Sequence, residues 1–311
     1  MASSHSLLHP SSALHNAFTP VLRVLACLAS FFLGPALFAS EFDQALFLYK
    51  EKRFGEAQPI FEKLDAADPN NPRLVFYLGA LALRRGDFEE SAKMLERASQ
   101  LDPRSGHYQN ELGDAYGLWA QRAPLLSKLG LAKKCLAAYE RAVELDPDNI
   151  EYRLSLMTYY VEAPRFAGGN MDKAFEIARD VQRRDSFQGG LTLAGLYCSQ
   201  KKWAQAFAEI DTLQKKFPDK AEVDYQIGRI AAASGQQLDR GKNALQRYLT
   251  TTPQRGQPSL ANAHFRLGEI AEKYRDVKGA ADAYRQAIRL DPSLYLARRA
   301  LEKIEKDAGG G

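Results

Sequence analysis

An all-α stack of helical hairpins is the architecture this sequence predicts, and three observations carry it. A phrase recurs as Ala67-Asp68-Pro69, Leu101-Asp102-Pro103, Leu145-Asp146-Pro147 and Leu290-Asp291-Pro292, the first two prolines 34 positions apart. A fixed period of that length marks stacked helical units. Residues before the prolines keep constant offsets: Leu95 and Ala98 before Pro103, Tyr139 and Ala142 before Pro147, Tyr284 and Ala287 before Pro292. Further upstream a large apolar residue precedes a small one, in Leu78-Gly79, Leu112-Gly113, Leu193-Ala194, Ile227-Gly228 and Leu267-Gly268. Apolar residues at three- and four-residue spacing, such as Leu78, Leu81 and Ala82, leave one face of each hairpin uncovered until a neighbour stacks on it. Proline lacks the amide hydrogen and its ring collides with the preceding turn, so it ends the second helix, while Gly86 and Gly235 break the chain between first and second.

Residues 1–39 read as a signal peptide. They hold no acidic side chain, one basic residue, Arg23, and an apolar run from Val24 to Ala39 broken by Gly34-Pro35. Sixteen residues fall short of the ~20 that span a bilayer, and cleavage is expected after Ala39, with Leu37 at the −3 position. The alternative is an uncleaved anchor; in both readings the remainder lies outside the cytoplasm. Val24-Leu25-Ala26-Cys27 mimics a lipoprotein box, but most of the apolar segment follows Cys27, where lipidation requires it to precede.

The solenoid is expected over 40–307, as seven hairpins closing near Pro69, Pro103, Pro147, Ser186, Pro218, Pro253 and Pro292. A charged amphipathic helix from about Leu294 to Lys306 then covers the end of the stack, and 308–311 form a disordered tail. Repeat 1 has Gln44-Ala45 in place of the Leu-Gly pair, and Pro59 inside its second helix is tolerable only in the first turn. Repeat 4 lacks a closing proline and carries the larger Met157 after Leu156, which predicts looser packing. Repeat 3 is ten residues longer than the period, in Ala123–Gly130, and repeat 4 about five longer, in Ala163–Asn170. Both insertions fall between the first and second helix.

These phrases closely resemble the tetratricopeptide repeat, over nearly all of the chain after the leader. The resemblance implies a right-handed α-solenoid in which a small residue at position 8 of helix A meets another at position 20 of helix B, and position 27 packs on the next helix A. Position 20 is Ala57, Ser91, Cys135, Ala174, Ala206, Gly241 and Ala280 in turn. It also implies a concave wall from helix A: Arg73, Phe76 and Arg84; His107, Asn110 and Asp114; Glu151, Leu154 and Thr158; Glu222, Tyr225 and Arg229; Asn262, Phe265 and Glu269. Position 5 is aromatic at Phe42, Phe76, Tyr225 and Phe265, either to dock an extended peptide or to fill gaps against the preceding repeat. The lysine and asparagine with which some family members hold a terminal carboxylate are not paired in any repeat. The Ala-Pro…Gly-Gly insertion resembles one in exported bacterial repeat proteins. A fainter likeness, from Ser127 to Pro147, to eukaryotic regulators of microtubule dynamics supplies no activity residues.

The chain has 311 residues, 45% hydrophobic and 26% charged, with a net charge of +4 and no Lys/Arg run of five, which argues against a nucleic-acid partner. The five histidines include three in the first fifteen residues, and no His/Cys/Asp/Glu grouping has metal-ligand spacing, so no metal or cofactor is expected. Cys135 and Cys198 suit small buried positions and are expected to stay reduced. No catalytic triad, paired carboxylates or phosphate-binding glycine motif points to an enzyme. The expected function is an exported scaffold for a protein or peptide partner, touching a membrane only if the leader is uncleaved; the alternative is a small-ligand or glycan binder with a pocket near the insertions. Those insertions, with Pro124, Pro164, Phe166, Gly168, Gly169 and Asn170, are expected to lie side by side as one composite surface. The start of the helix after Gly168-Gly169 either receives an anionic group or is capped by Asn170 itself.

Overall fold

The computed structural model describes residues 41–309, which form fifteen α-helices and one 3-10 turn, with no strand among the described residues. The leader at 1–39, with its cleavage site and Cys27, lies outside them, as do the last two residues. Two compact units divide at Asp148.

The first unit holds α1 (41–50), α2 (Phe54–Ala67), α3 (Pro72–Arg85), α4 (Phe88–Leu101), α5 (Gly106–Arg122) and α6 (Leu125–Leu145). Its pairs close by size complementarity. A β-carbon on Gly79 would stand 2.9 Å from Leu95, and one on Gly113 only 2.5 Å from the Tyr139 ring. Ala57, Ser91 and Cys135 are buried at the facing position, as the repeat register requires. An aromatic cluster of Phe42, Tyr49, Phe61 and Tyr77 fills the first hairpin, Phe61 and Tyr77 stacking at 4.9 Å.

Two expectations are corrected here. Pro59 lies in the second turn of α2, at its sixth residue, not in the first. Both Pro59 and Gly55, whose carbonyl loses its helical partner, are exposed, so that carbonyl is open to solvent. The repeat 3 insertion is no loop. Leu125–Gly130 are the opening turns of α6, and only Ala123-Pro124 separates the helices. Leucine and lysine are good helix formers, and a proline just ahead of the first turn costs no hydrogen bond, so the added residues lengthen the hairpin.

The second unit holds α7 (Ile150–Glu162), the turn η1 (Arg165–Ala167), α8 (Met171–Arg184), α9 (Ser186–Ser199), α10 (Trp203–Lys216), α11 (Ala221–Ser234), α12 (Leu238–Tyr248), α13 (Leu260–Lys273), α14 (Val277–Leu290) and α15 (Tyr295–Gly309). Gly228 accepts Leu245 and Gly268 accepts Tyr284 in the same way, their added β-carbons falling 2.2 and 2.4 Å from those side chains. The α7/α8 pair has other sizes: where the Gly repeats have Leu95, Tyr139, Leu245 and Tyr284, repeat 4 has the buried Ala178, and it carries the larger Met157 in place of the glycine. The missing proline after α8 is replaced by Asp185. Its amide donates to Val181 O, ending α8, and its carboxylate accepts from the amides of Phe187 and Gln188, starting α9.

Helix α15 covers the last hairpin: Ala297 is fully buried with Phe265, Tyr284 and Ala287, and Leu294, Leu301 and Ile304 pack alongside. It continues through Gly309, past the boundary expected for the tail.

Candidate functional site

Helix A does not present its position 5 rings to solvent. Phe76, Tyr225 and Phe265 are only 6–7% exposed, and each lies against a neighbouring ring: Phe76 stacks on Tyr108 at 5.0 Å, while Tyr225 and Phe265 tilt against Tyr248 at 5.4 Å and Tyr284 at 5.6 Å. These rings are packed inside the stack, although against the next repeat or their own second helix and not against the preceding repeat. Asn110 is buried as well, and its side-chain oxygen has no partner. What the stripe leaves outside is charged or polar. Arg73 is exposed and lies 4.3 Å over the Phe42 ring; Arg84 is exposed; His107 is exposed, its ring 4.7 Å from Phe76. Half-buried Asp114 accepts from the Tyr139 hydroxyl at 2.5 Å, and half-buried Arg229 donates to Gln226.

The repeat 4 insertion is a closed turn in which almost every residue has a backbone task. The amides of Ala167 and Gly169 donate to Pro164 O, that of Gly168 to Arg165 O, and that of Asn170 to Tyr160 O at 2.9 Å. The Tyr159 hydroxyl donates to Ala167 O. Gly168 has φ of 102°, and a β-carbon on Gly169 would collide with Ala163 O, so both glycines are there for geometry. Asn170 caps α8, its side chain accepting from the amides of Asp172 and Lys173. The capping alternative therefore describes this helix start. One large side chain is given no internal role: Phe166, at the tip, is 78% exposed, between exposed Arg165 and buried Ala167.

Pro124, in the other insertion, ends the short link before α6 and is exposed, followed by Leu125 and Leu126. It belongs to the first unit, Pro164 to Asn170 to the second.

A cleft of about 460 Å³ opens directly after the closed turn in the chain, and sequence reasoning missed it. Met171, Asp172, Phe175, Glu176 and Arg179 of α8 line one side, Tyr197 and Gln200 from the end of α9 and Lys202 and Gln205 at the start of α10 the other. Buried Phe175 forms its floor, 5.1 Å from the Tyr197 ring, with Arg179 and Lys202 over it at 5.8 and 5.6 Å. The rim thus sets two carboxylates, Asp172 and Glu176, against two cations around an aromatic base, an arrangement suited to a polar segment that inserts one apolar group. Its residues come from two hairpins and from positions the repeat leaves variable, so no spacing in the sequence announces it.

The two thiols are unpaired. Burial, and then the Asp114 charge, push Cys135 up to about 12; burial raises Cys198 as well, against the lowering influence of Arg229. Neither is an activated nucleophile.

Tetratricopeptide-repeat family models match residues 48–112, 109–149 and 261–294. Curated relatives include cellulose synthase operon protein C of Escherichia coli, 27% identical over 181 residues, which are 54% of this chain and 16% of that protein. The same protein of Salmonella typhimurium is 26% identical, over 70% of this chain and 19% of its own length. The chain thus spans less than a fifth of the curated relatives it matches. Among solved structures, a tetratricopeptide repeat protein from Parabacteroides merdae superposes with a TM-score of 0.65 at 14% identity, covering 86% of this chain and 98% of that one. A hetero-tetramer of Cut9 and Hcn1 gives 0.53 at 14% identity, covering 84% and 48%.

Proposed function

We propose, for a chain that is a tetratricopeptide-repeat protein, that it serves as an exported, non-catalytic scaffold which captures a protein or peptide partner at the closed turn and cleft of repeat 4. The observation that carries this reading is Phe166, an aromatic ring exposed at 78% on a turn closed by the backbone bonds of Ala167, Gly168, Gly169 and Asn170. A large ring held rigidly in solvent contributes nothing to folding and loses little freedom on binding, the properties of an interface anchor. The cleft that follows offers a partner both signs of charge. Export rests on the composition of residues 1–39 alone, and intact-mass measurement of the secreted or envelope protein tests it: loss of residues 1–39 is expected.

A polysaccharide is the second reading, supported by the cleft's volume and by relatives named for a cellulose synthase operon. A photo-crosslinking side chain at Phe166, in the native envelope, separates the two. Capture of one defined protein, abolished by Arg179→Glu/Lys202→Glu, supports the partner reading. No protein captured above an exposed control position, together with a thermal shift on cell-wall oligosaccharides, supports the other. Phe166→Ala should reduce capture at least about tenfold with unchanged helicity. Gly169→Ala should reduce it by distorting the turn, since its β-carbon has no room beside Ala163 O.

A further inference from the structure

The extended α5/α6 hairpin ends in an apolar and basic tip. Helix α3 and helix α4 are 14 residues each, whereas α5 has 17 and α6 has 21. The excess is all at the tip, because α5 starts three residues after Pro103 as α3 does after Pro69, and α4 and α6 both end at a Leu-Asp-Pro phrase. At 1.5 Å per residue the tip gains about 5–10 Å of reach over the preceding hairpin. There Leu125 and Leu126 are 84% and 97% exposed and Leu129 is partly so. Leu125, Leu129 and Lys133 share one helix face at four-residue spacing.

Along the chain, the charge flanking these leucines has one sign. Between Asp114 and Glu140 the chain has no carboxylate and four cations, Arg122, Lys128, Lys133 and Lys134. Lys134 is paired with Glu96 at 3.1 Å. The other three form no ion pair among the described residues: Lys128 donates to Gln121 O, Arg122 lies over the Phe88 ring, and Lys133 is exposed.

We propose that this tip docks on an anionic lipid bilayer, Leu125, Leu126 and Leu129 entering the interfacial region while Arg122, Lys128 and Lys133 meet the lipid phosphates. A convex apolar point has no groove to receive a side chain, whereas a bilayer surface yields around it. Burying such a point 5–10 Å deep with cations at headgroup level is how interfacial segments bind. The contact needs neither an uncleaved leader nor the repeat 4 partner. No helix among the described residues is long and apolar enough to cross a membrane, so the tip rests on the surface.

Full-length Leu126→Trp protein, mixed with vesicles carrying brominated acyl chains, tests this locally, whatever residues 24–39 do. With about 30% phosphatidylglycerol in phosphatidylcholine, the added indole should shift blue and be quenched, beyond the change seen for Trp119 and Trp203 in wild type. On phosphatidylcholine alone it should not. Lys128→Glu/Lys133→Glu should lower partitioning of the Leu126→Trp protein about tenfold or more, with helicity unchanged. Leu126→Gln, read by cosedimentation against wild type, gives an independent decrease. An unquenched indole on anionic vesicles, as a tip that instead seats in a protein groove would give, overturns the proposal. Equal quenching with and without phosphatidylglycerol overturns it too.

Discussion

Gly113 and Gly130 lie seventeen residues apart in one hairpin, yet the absence of a β-carbon means opposite things at the two. At Gly113 the ring of Tyr139 occupies the space, so alanine there forces the hairpin apart. Nothing stands within 4 Å of a β-carbon at Gly130, inside α6, where glycine only loosens the helix. Thermal or urea melts should show Gly113→Ala destabilising by about 1–3 kcal/mol and Gly130→Ala stabilising by about 0.5–1 kcal/mol. The same contact has a pH dependence. Burial, then Asp114, holds the Cys135 thiol up to about 12 and drives Tyr139 higher; burial also raises Tyr248 to about 12 and Tyr284 further. In the unfolded chain these groups lose protons from about pH 9 (Cys) and 10 (Tyr), while the folded protein retains them. The unfolded state then binds fewer protons, so stability falls as pH rises above 9, by about 1.4 kcal/mol per unit for each group titrating. Urea midpoints at pH 8, 9.5 and 10.5 should decline in that order, and Cys135→Ala should flatten the first step.

At the level of single elements, the turns between helix A and helix B show what a sequence discloses and what it hides. Gly86 and Gly235 are left-handed, as glycine at a helix end suggests, and both were legible. Lys52, Lys201 and Arg275 occupy the same kind of turn with φ of 53–60°, a conformation their side chains disfavour and no residue-type rule would have assigned them. The short connection, not the residue, dictates the backbone there. Lys201→Gly should therefore stabilise by about 0.5–1 kcal/mol, read as a raised urea midpoint, since Lys201 is exposed. The small residues at position 20 were equally legible, because close helix approach restricts their volume directly. The repeat 3 insertion was not: a proline, a glycine and an excess over the period read as a loop, although the intervening Leu-Leu-Ser-Lys-Leu is compatible with helix. The closed turn of repeat 4 was legible in composition and not in purpose. Gly168 and Gly169 shape the turn and Asn170 caps α8, tasks that composition alone did not rank above ligand binding, while Phe166 is a large apolar side chain displayed on the turn.

Across the whole chain, stability in a stack of hairpins is a sum of local terms and contacts with immediate neighbours, so what ends the stack affects mainly the last unit it touches. Helix α15 covers the last described hairpin. Its outer face carries exposed Tyr295 and Leu296 among charges, while Leu294, Ala297, Leu301 and Ile304 cover Phe265 and Tyr284. Ending the chain at Pro292 strips that cover and leaves two large rings facing water. The cost should be on the order of 3 kcal/mol or more, from several partly buried aliphatic groups. Removal of 308–311 should leave the melt unchanged, Ile304 being the last packed side chain among the described residues. Hydrogen exchange distinguishes a local effect from a general one. In the protein ending at Pro292, amides of α13 and α14 should exchange markedly faster while those of α1 to α6 keep their wild-type protection. An even loss of protection across all helices would mean that the repeats unfold as one cooperative body, and that covering the last hairpin stabilises the first as much as the seventh.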